Sequence, residues 1–160
     1  MPVPNQIATA VQSFNRNDSF LKQGIDVIPD EDWVRRPSEH ANHLLWIVAH
    51  MTWARGALLG RLGSPWATTW MPLYARGAKC VDSSDGPSPS EVMQAWDESC
   101  ARLNAAFESV TEDALNAPNG RPSPDGKVSG LVDFLAFHET YHLGQASYVR
   151  SLLGHPGVMG

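Results

Sequence analysis

The chain is short of cysteine, of basic clusters and of long apolar runs, and each shortage closes off a class of protein. Only Cys80 and Cys100 are cysteines among its 160 residues. They are too few for a disulfide framework and lack the C-x-x-C spacing of a cysteine zinc site, which leaves at most one disulfide and makes a reduced, cytoplasmic setting the expectation. Asp and Glu outnumber Lys and Arg, for a formal net charge of −5, and the arginines form no dense run. Phosphate binding asks for a basic footprint, so no nucleic-acid partner is expected. No apolar stretch nears the roughly 20 residues a membrane helix needs, so no membrane partner is expected either. The opening MPVPNQIATAVQSF lacks the basic start and apolar run of a signal peptide. Sustained period-two alternation is also missing, which limits strands to one short hairpin around Pro124-Asp125-Gly126.

What is present suits a folded helical protein. Hydrophobic residues make up 42% and charged residues 18%, which argues against disorder and for one domain over residues 1–160. Four segments carry helical patterning, at about 5–25, 39–62, 89–115 and 130–153. The first has an apolar stripe of Ile7, Val11, Phe14 and Leu21, closed by Gly24 and Pro29. Ser38 is the expected cap of the second, with Glu39 in its first turn. Ser88-Pro89-Ser90-Glu91 reads as a capping box opening the third. Ser129 is the expected cap of the fourth, which Gly154 and Pro156 end. The fold class is therefore all-α, a four-helix bundle. The long connection from Gly63 to Pro87 allows one crossover and carries Trp66, Trp70 and Tyr74.

In the fourth helix Leu131, Leu135, His138, His142, Gln145, Val149 and Leu152 step by four and three residues, the seam that faces a bundle core. His138 and His142 lie one turn apart and about 40° apart around the axis. In the second helix Ile47, His50 and Ala54 step the same way, flanked by Trp46 and Trp53. Three imidazoles aimed at one depth each leave a lone pair to satisfy, and one divalent cation satisfies all three. The plainer alternative is three hydrogen-bonded core histidines. His40 is expected at the surface, His43 about 10 Å along the axis from His50, and His155 in the C-terminal tail.

Residues 138–142 also spell H-E-x-x-H, the zincin signature. The third ligand of a zincin is missing, because no acid follows Gln145 and the metzincin glycine and histidine are out of place. Glu139 stands about 100° from His138, at the boundary of the inward face. It is expected to be a solvated or interface carboxylate, with an acid–base role toward a metal-held water as the alternative.

The stretches RPSEHANHLLWIVAHM and HETYHLGQASYVRSLLG, with their His50 and H-x-x-x-H-x-G-Q pattern, resemble the DinB/YfiT-like superfamily of metal-binding four-helix bundles. The resemblance implies that His50, His138 and His142 bind one divalent metal, often zinc, nickel or iron, and that the chain is a homodimer. Relatives include S-transferases that use the low-molecular-weight thiols bacillithiol or mycothiol, a mycothiol-dependent maleylpyruvate isomerase, and metal-dependent hydrolases without an assigned substrate. Gln145 falls on the H-x-G-Q step, in a supporting or structural role.

Three neutral histidines leave a coordination position open, the pattern of a catalytic site. The expected function is activation of water or a thiol for hydrolysis or S-transfer on a small-molecule substrate. Trp46, Trp53, Trp66 and Trp70 are candidate pocket-lining residues. The alternative is a non-enzymatic stress-response module that binds a metal or small ligand.

Overall fold

The computed structural model describes residues 2–80, 86–120 and 123–157. It is all-helical. After a 3-10 turn at Asn5–Ile7 come α1 (Ala8–Ile25), α2 (Asp30–Trp33), α3 (Leu44–Arg61), a second 3-10 turn (Met71–Tyr74), α4 (Pro89–Ser109), α5 (Glu112–Asn116) and α6 (Val128–Leu152). Among the described residues there is no strand; the expected hairpin reduces to one antiparallel bridge between Pro118 and Lys127. No described helix is long and apolar enough to cross a membrane. Neither cysteine is in a disulfide.

Three helix boundaries differ from the sequence expectation, each for a local reason. The second long helix starts at Leu44, not at Glu39. Its cap is His43, whose extended backbone places ring Nδ1 3.1 Å from the Trp46 N–H it accepts, doing the work of a Ser or Asp oxygen. Ser38 instead closes a tight turn, its carbonyl accepting from Ala41 N–H. The third helix does hold its Ser88–Glu91 capping box, but it ends at Ser109. Val110 turns extended, and Thr111 caps the separate helix α5. The fourth helix begins at Val128, so Ser129 lies in its first turn rather than capping it. The N-cap position is Lys127, and the Asp125 carboxylate just before it accepts from Lys127 N–H at 2.8 Å and from the Ser129 hydroxyl at 3.1 Å. A Cβ at Gly130 would collide with that carboxylate, so the glycine makes room for it against the first turn.

The four long helices touch in a ring, α1 to α6 to α3 to α4 and back to α1. α3 is the most enclosed, with every residue from His43 to Thr52 buried, as expected of a helix that is apolar all round. The expected stripe is buried, Ile7 in the 3-10 turn and Val11, Phe14 and Leu21 on α1. On α6 the buried line is rotated from the expected seam and runs through Val132, Ala136, Glu139, Leu143 and Ala146, while Leu152 is 54% exposed. His138 and Gln145 therefore stand at the rim of the inward face rather than at its centre.

The core is two apolar clusters with a polar layer between them. One gathers Leu21, Met51, Trp96 and Leu143; the other gathers Phe14, Leu58, Leu103 and Ala136. Along α1 and α6 the sequence passes from the second cluster to the first, and along α3 and α4 in the reverse order. Every long helix contributes to the polar layer: Asn17 and Asp18, Arg55, Ser99 and Cys100, Glu139 and Thr140. Arg55 is 2% exposed and grips Glu139 with two bonds, Nε to Oε2 at 2.6 Å and Nη2 to Oε1 at 2.9 Å. Its Nη1 donates to Cys100 Sγ at 2.6 Å, and its guanidinium lies 3.6 Å over the Trp96 ring. Trp96 in turn donates to Asp18 at 2.8 Å, and Asn17 donates to the Thr140 hydroxyl at 3.1 Å. Burial works against the Arg55 charge, but Glu139 outweighs it and holds the guanidinium above its ordinary pKa. Burial pushes the Cys100 thiol up to about 11, helped by Asp18 and opposed by Arg55, so it stays a neutral thiol at pH 7.

Removing one half of a buried pair strands the other charge. Glu139→Gln is expected to cost about 3–5 kcal/mol, whereas the double change Arg55→Met with Glu139→Leu costs far less. Urea unfolding of the two variants beside wild type measures the difference.

Candidate metal centre

His50 sits mid-way along α3, and His138 and His142 sit one turn apart on α6. The structure brings all three rings together: every ring nitrogen offered as a ligand lies within 4.8 Å of the others. His138 Nε2 is 3.3 Å from His50 Nε2 and 3.1 Å from His142 Nε2. Zinc–nitrogen bonds of about 2.0–2.1 Å in a tetrahedron put the nitrogens about 3.3 Å apart, so this spacing fits the edges of a coordination polyhedron.

The outer hydrogen bonds decide which nitrogen is bare. His50 Nδ1 lies 2.7 Å from the Tyr74 carbonyl. A carbonyl only accepts, so Nδ1 carries the hydrogen, and Nε2 of the neutral ring keeps an open lone pair. His142 Nδ1 lies 2.7 Å from Gln145 Oε1, while the amide nitrogen of Gln145 donates to Tyr141 Oη at 3.3 Å. The same reasoning leaves His142 Nε2 bare. His138 can offer its Nε2 hydrogen to only one of these neighbours, and its buried Nδ1 has no partner among the described residues. Three neutral imidazoles alone leave at least one bare Nε2 lone pair without a donor; a cation satisfies it, and outer acceptors of this kind fix ring tautomers at metal sites. His50, His138 and His142 could thus hold a metal ion.

Packing fixes the rings. Trp46 stacks on His50 with centroids 4.8 Å apart and planes 9° apart, and Trp53 lies 5.4 Å away on an adjacent turn. The turn that supplies the Tyr74 carbonyl can come down on α3 because position 56 is glycine: a Cβ there would lie 3.0 Å from the Trp66 carbonyl and 3.3 Å from Met71 Sδ.

A cavity of about 540 Å³ opens onto the site between α3 and α6, with His50 and His138 in its wall. Trp53 lines it too. The other candidate tryptophans do not: Trp46 is buried against His50, Trp66 lies 5.8 Å from the Arg102 guanidinium, and Trp70 packs edge-on to Tyr74. Glu139 differs most from expectation. It is 2% exposed and bound to Arg55 through both oxygens, not solvated. His40 is exposed, His43 caps α3, and His155 pairs with Asp32 at 2.7 Å. Sequence reading missed Arg61 and Arg76, which line the cavity, and the Tyr74 carbonyl. Arg61 had a signal, since eleven residues bring a helix back to within about 20° of His50; the other two, lying outside regular helix periodicity, had none.

All three imidazoles are held below the ordinary histidine pKa by burial first. For His138 the charges of His142, His50 and Arg76 add to it and push it down to about 4. A group that is neutral when folded and takes up a proton when unfolded draws stability away as pH falls. The metal-free protein should therefore lose stability as pH drops from about 6.5 toward 4, with no such effect above that window. Melting temperatures of chelator-treated protein across this range test it, and His138→Leu should flatten the slope.

A comparison with curated proteins gave no match. The family model described as the DinB superfamily matches residues 18–146. That span runs from α1 into α6 and holds the three imidazoles, the Arg55–Glu139 pair and Gln145. The chain belongs to the DinB superfamily.

Proposed function

We propose that His50, His138 and His142 bind one divalent cation, zinc, nickel or iron, and that the protein is an enzyme acting on a small molecule by hydrolysis or S-transfer. The observation that carries this is the meeting of three Nε2 atoms, two of them stripped of hydrogen by the Tyr74 carbonyl and Gln145. Such a cation supplies Lewis-acid activation of water or of a low-molecular-weight thiol. The chain's own groups do the rest. Tyr74 and Gln145 hold the ring N–H groups, Trp46 and Trp53 keep the His50 ring from turning, and the apolar cavity wall excludes water around a bound substrate.

The scaffold reading is a single DinB-like domain, a four-helix bundle with one long crossover loop between α3 and α4. The order of the apolar clusters supports it: α3 and α4 run the same way, which a short hairpin connection cannot join. Two cysteines outside any disulfide agree with a cytoplasmic setting. A homodimer is supported by an aromatic stripe on the outer face of α6, where Phe137, Tyr141 and Tyr148 are each more than half exposed and share one side of the helix.

Elemental analysis tests the centre. His50→Ala should lose stoichiometric metal while keeping wild-type helical content, and Gln145→Leu should weaken binding by about 10–100-fold. Full metal occupancy in His50→Ala sinks the proposal. Metal-loaded protein is then assayed on esters and amides, and on electrophiles with bacillithiol or mycothiol. Turnover that His50→Ala abolishes supports the enzyme, whereas metal binding without turnover assigns the non-enzymatic module. Tyr141→Asp should shift the sedimentation equilibrium from dimer to monomer.

A further inference from the structure

The cavity beside the histidines carries two arginines and no acid. Its walls are apolar: Trp53 and Ala57 on α3, Leu131, Phe134 and Leu135 on α6. Its polar lining beyond His50 and His138 is two arginines, Arg61 at the end of α3 and Arg76 in the segment after the Met71–Tyr74 turn. No acid is among the lining residues. Neither guanidinium has an ion-pair partner among the described residues, whereas Arg35, Arg55 and Arg102 all do. In a chain with 17 acids and 12 bases, this wall thus presents two unpaired cations and no carboxylate to a ligand.

The spacing along α3 gives the arrangement a direction. His50 and Arg61 share a helix face about 16 Å apart along the axis, and the apolar wall lies between them. An arginine side chain reaches back over part of that span. A ligand that touches both ends needs an acid group at one end and a flat apolar body behind it. Guanidinium binds planar anions through paired N–H donors, which favours a carboxylate.

We propose that the substrate of this site is a small organic acid whose apolar, flat body lies against Trp53, Leu131 and Phe134. Its carboxylate is held by Arg61 and Arg76, and its reacting group is turned toward the three imidazoles. This rests on the metal reading for where the reaction occurs, but not for how the acid is held.

The test is calorimetric titration with 3-phenylpropionate and its neutral amide, using zinc-treated and chelator-treated full-length protein. Wild type should bind the carboxylate about tenfold or more tightly than the amide, with or without zinc. In the double variant Arg61→Gln with Arg76→Gln the ratio should fall to about one, while bound zinc matches wild type. A ratio that survives in the double variant, or a wild type that prefers the amide or binds neither, overturns the proposal. A preference that disappears with zinc removal overturns it too, because the acid then sits on the ion, and the metal reading stands. If zinc never binds but the arginine-dependent preference holds, the metal reading fails and the acid site remains.

Discussion

The Arg55–Glu139 pair sets the register on which the site depends. Arg55 lies five residues after His50 on α3, and Glu139 directly follows His138 on α6. Two bonds of 2.6 and 2.9 Å between guanidinium and carboxylate fix how far one helix slides and turns against the other. One turn of slippage would separate the imidazoles by about 5.4 Å, beyond any shared ion. Apolar packing alone does not forbid such slippage, because leucines and alanines a turn apart exchange with modest loss. A buried charge that must meet its partner does forbid it. The pair thus acts on position, whatever its net effect on stability.

The same polar layer divides the labour of the core. On one side the Trp96–Leu143 cluster surrounds the enclosed half of α3; on the other Phe14, Leu58 and Phe107 close the far end. The imidazoles sit at the edge of this layer, buried enough to stay neutral and near enough to the cavity to meet a ligand. That balance is visible in their partners. Each of His50 and His142 spends one nitrogen on an uncharged acceptor, which orients the ring without adding a negative charge that would raise its pKa.

How much of this was legible in the sequence follows from where each signal lives. The imidazole positions were readable because a helix repeats every 3.6 residues and the three histidines fall on that repeat. The start of α3 was not, because its cap is a histidine ring, outside the Ser, Thr, Asp and Asn set. The break after Ser109 was hidden by continuing apolar spacing through Leu115. Glu139 was misread because its burial depends on a partner 84 residues away, and no local pattern records that distance. Arg76 lies in a loop, where periodicity carries no information.

Glu139 also settles what the H-E-x-x-H spelling means here. In a zincin the glutamate serves as general base, so its carboxylate must face a water at the metal. On this chain both carboxylate oxygens are taken by Arg55 in a site almost closed to solvent. A base held this way cannot accept a proton without leaving the guanidinium charged and alone inside the fold. The two histidines of the motif keep a geometry that could hold a metal ion, while the glutamate between them holds helices together. Five identical letters therefore carry two different chemistries, and the deciding residue is the arginine on the facing helix.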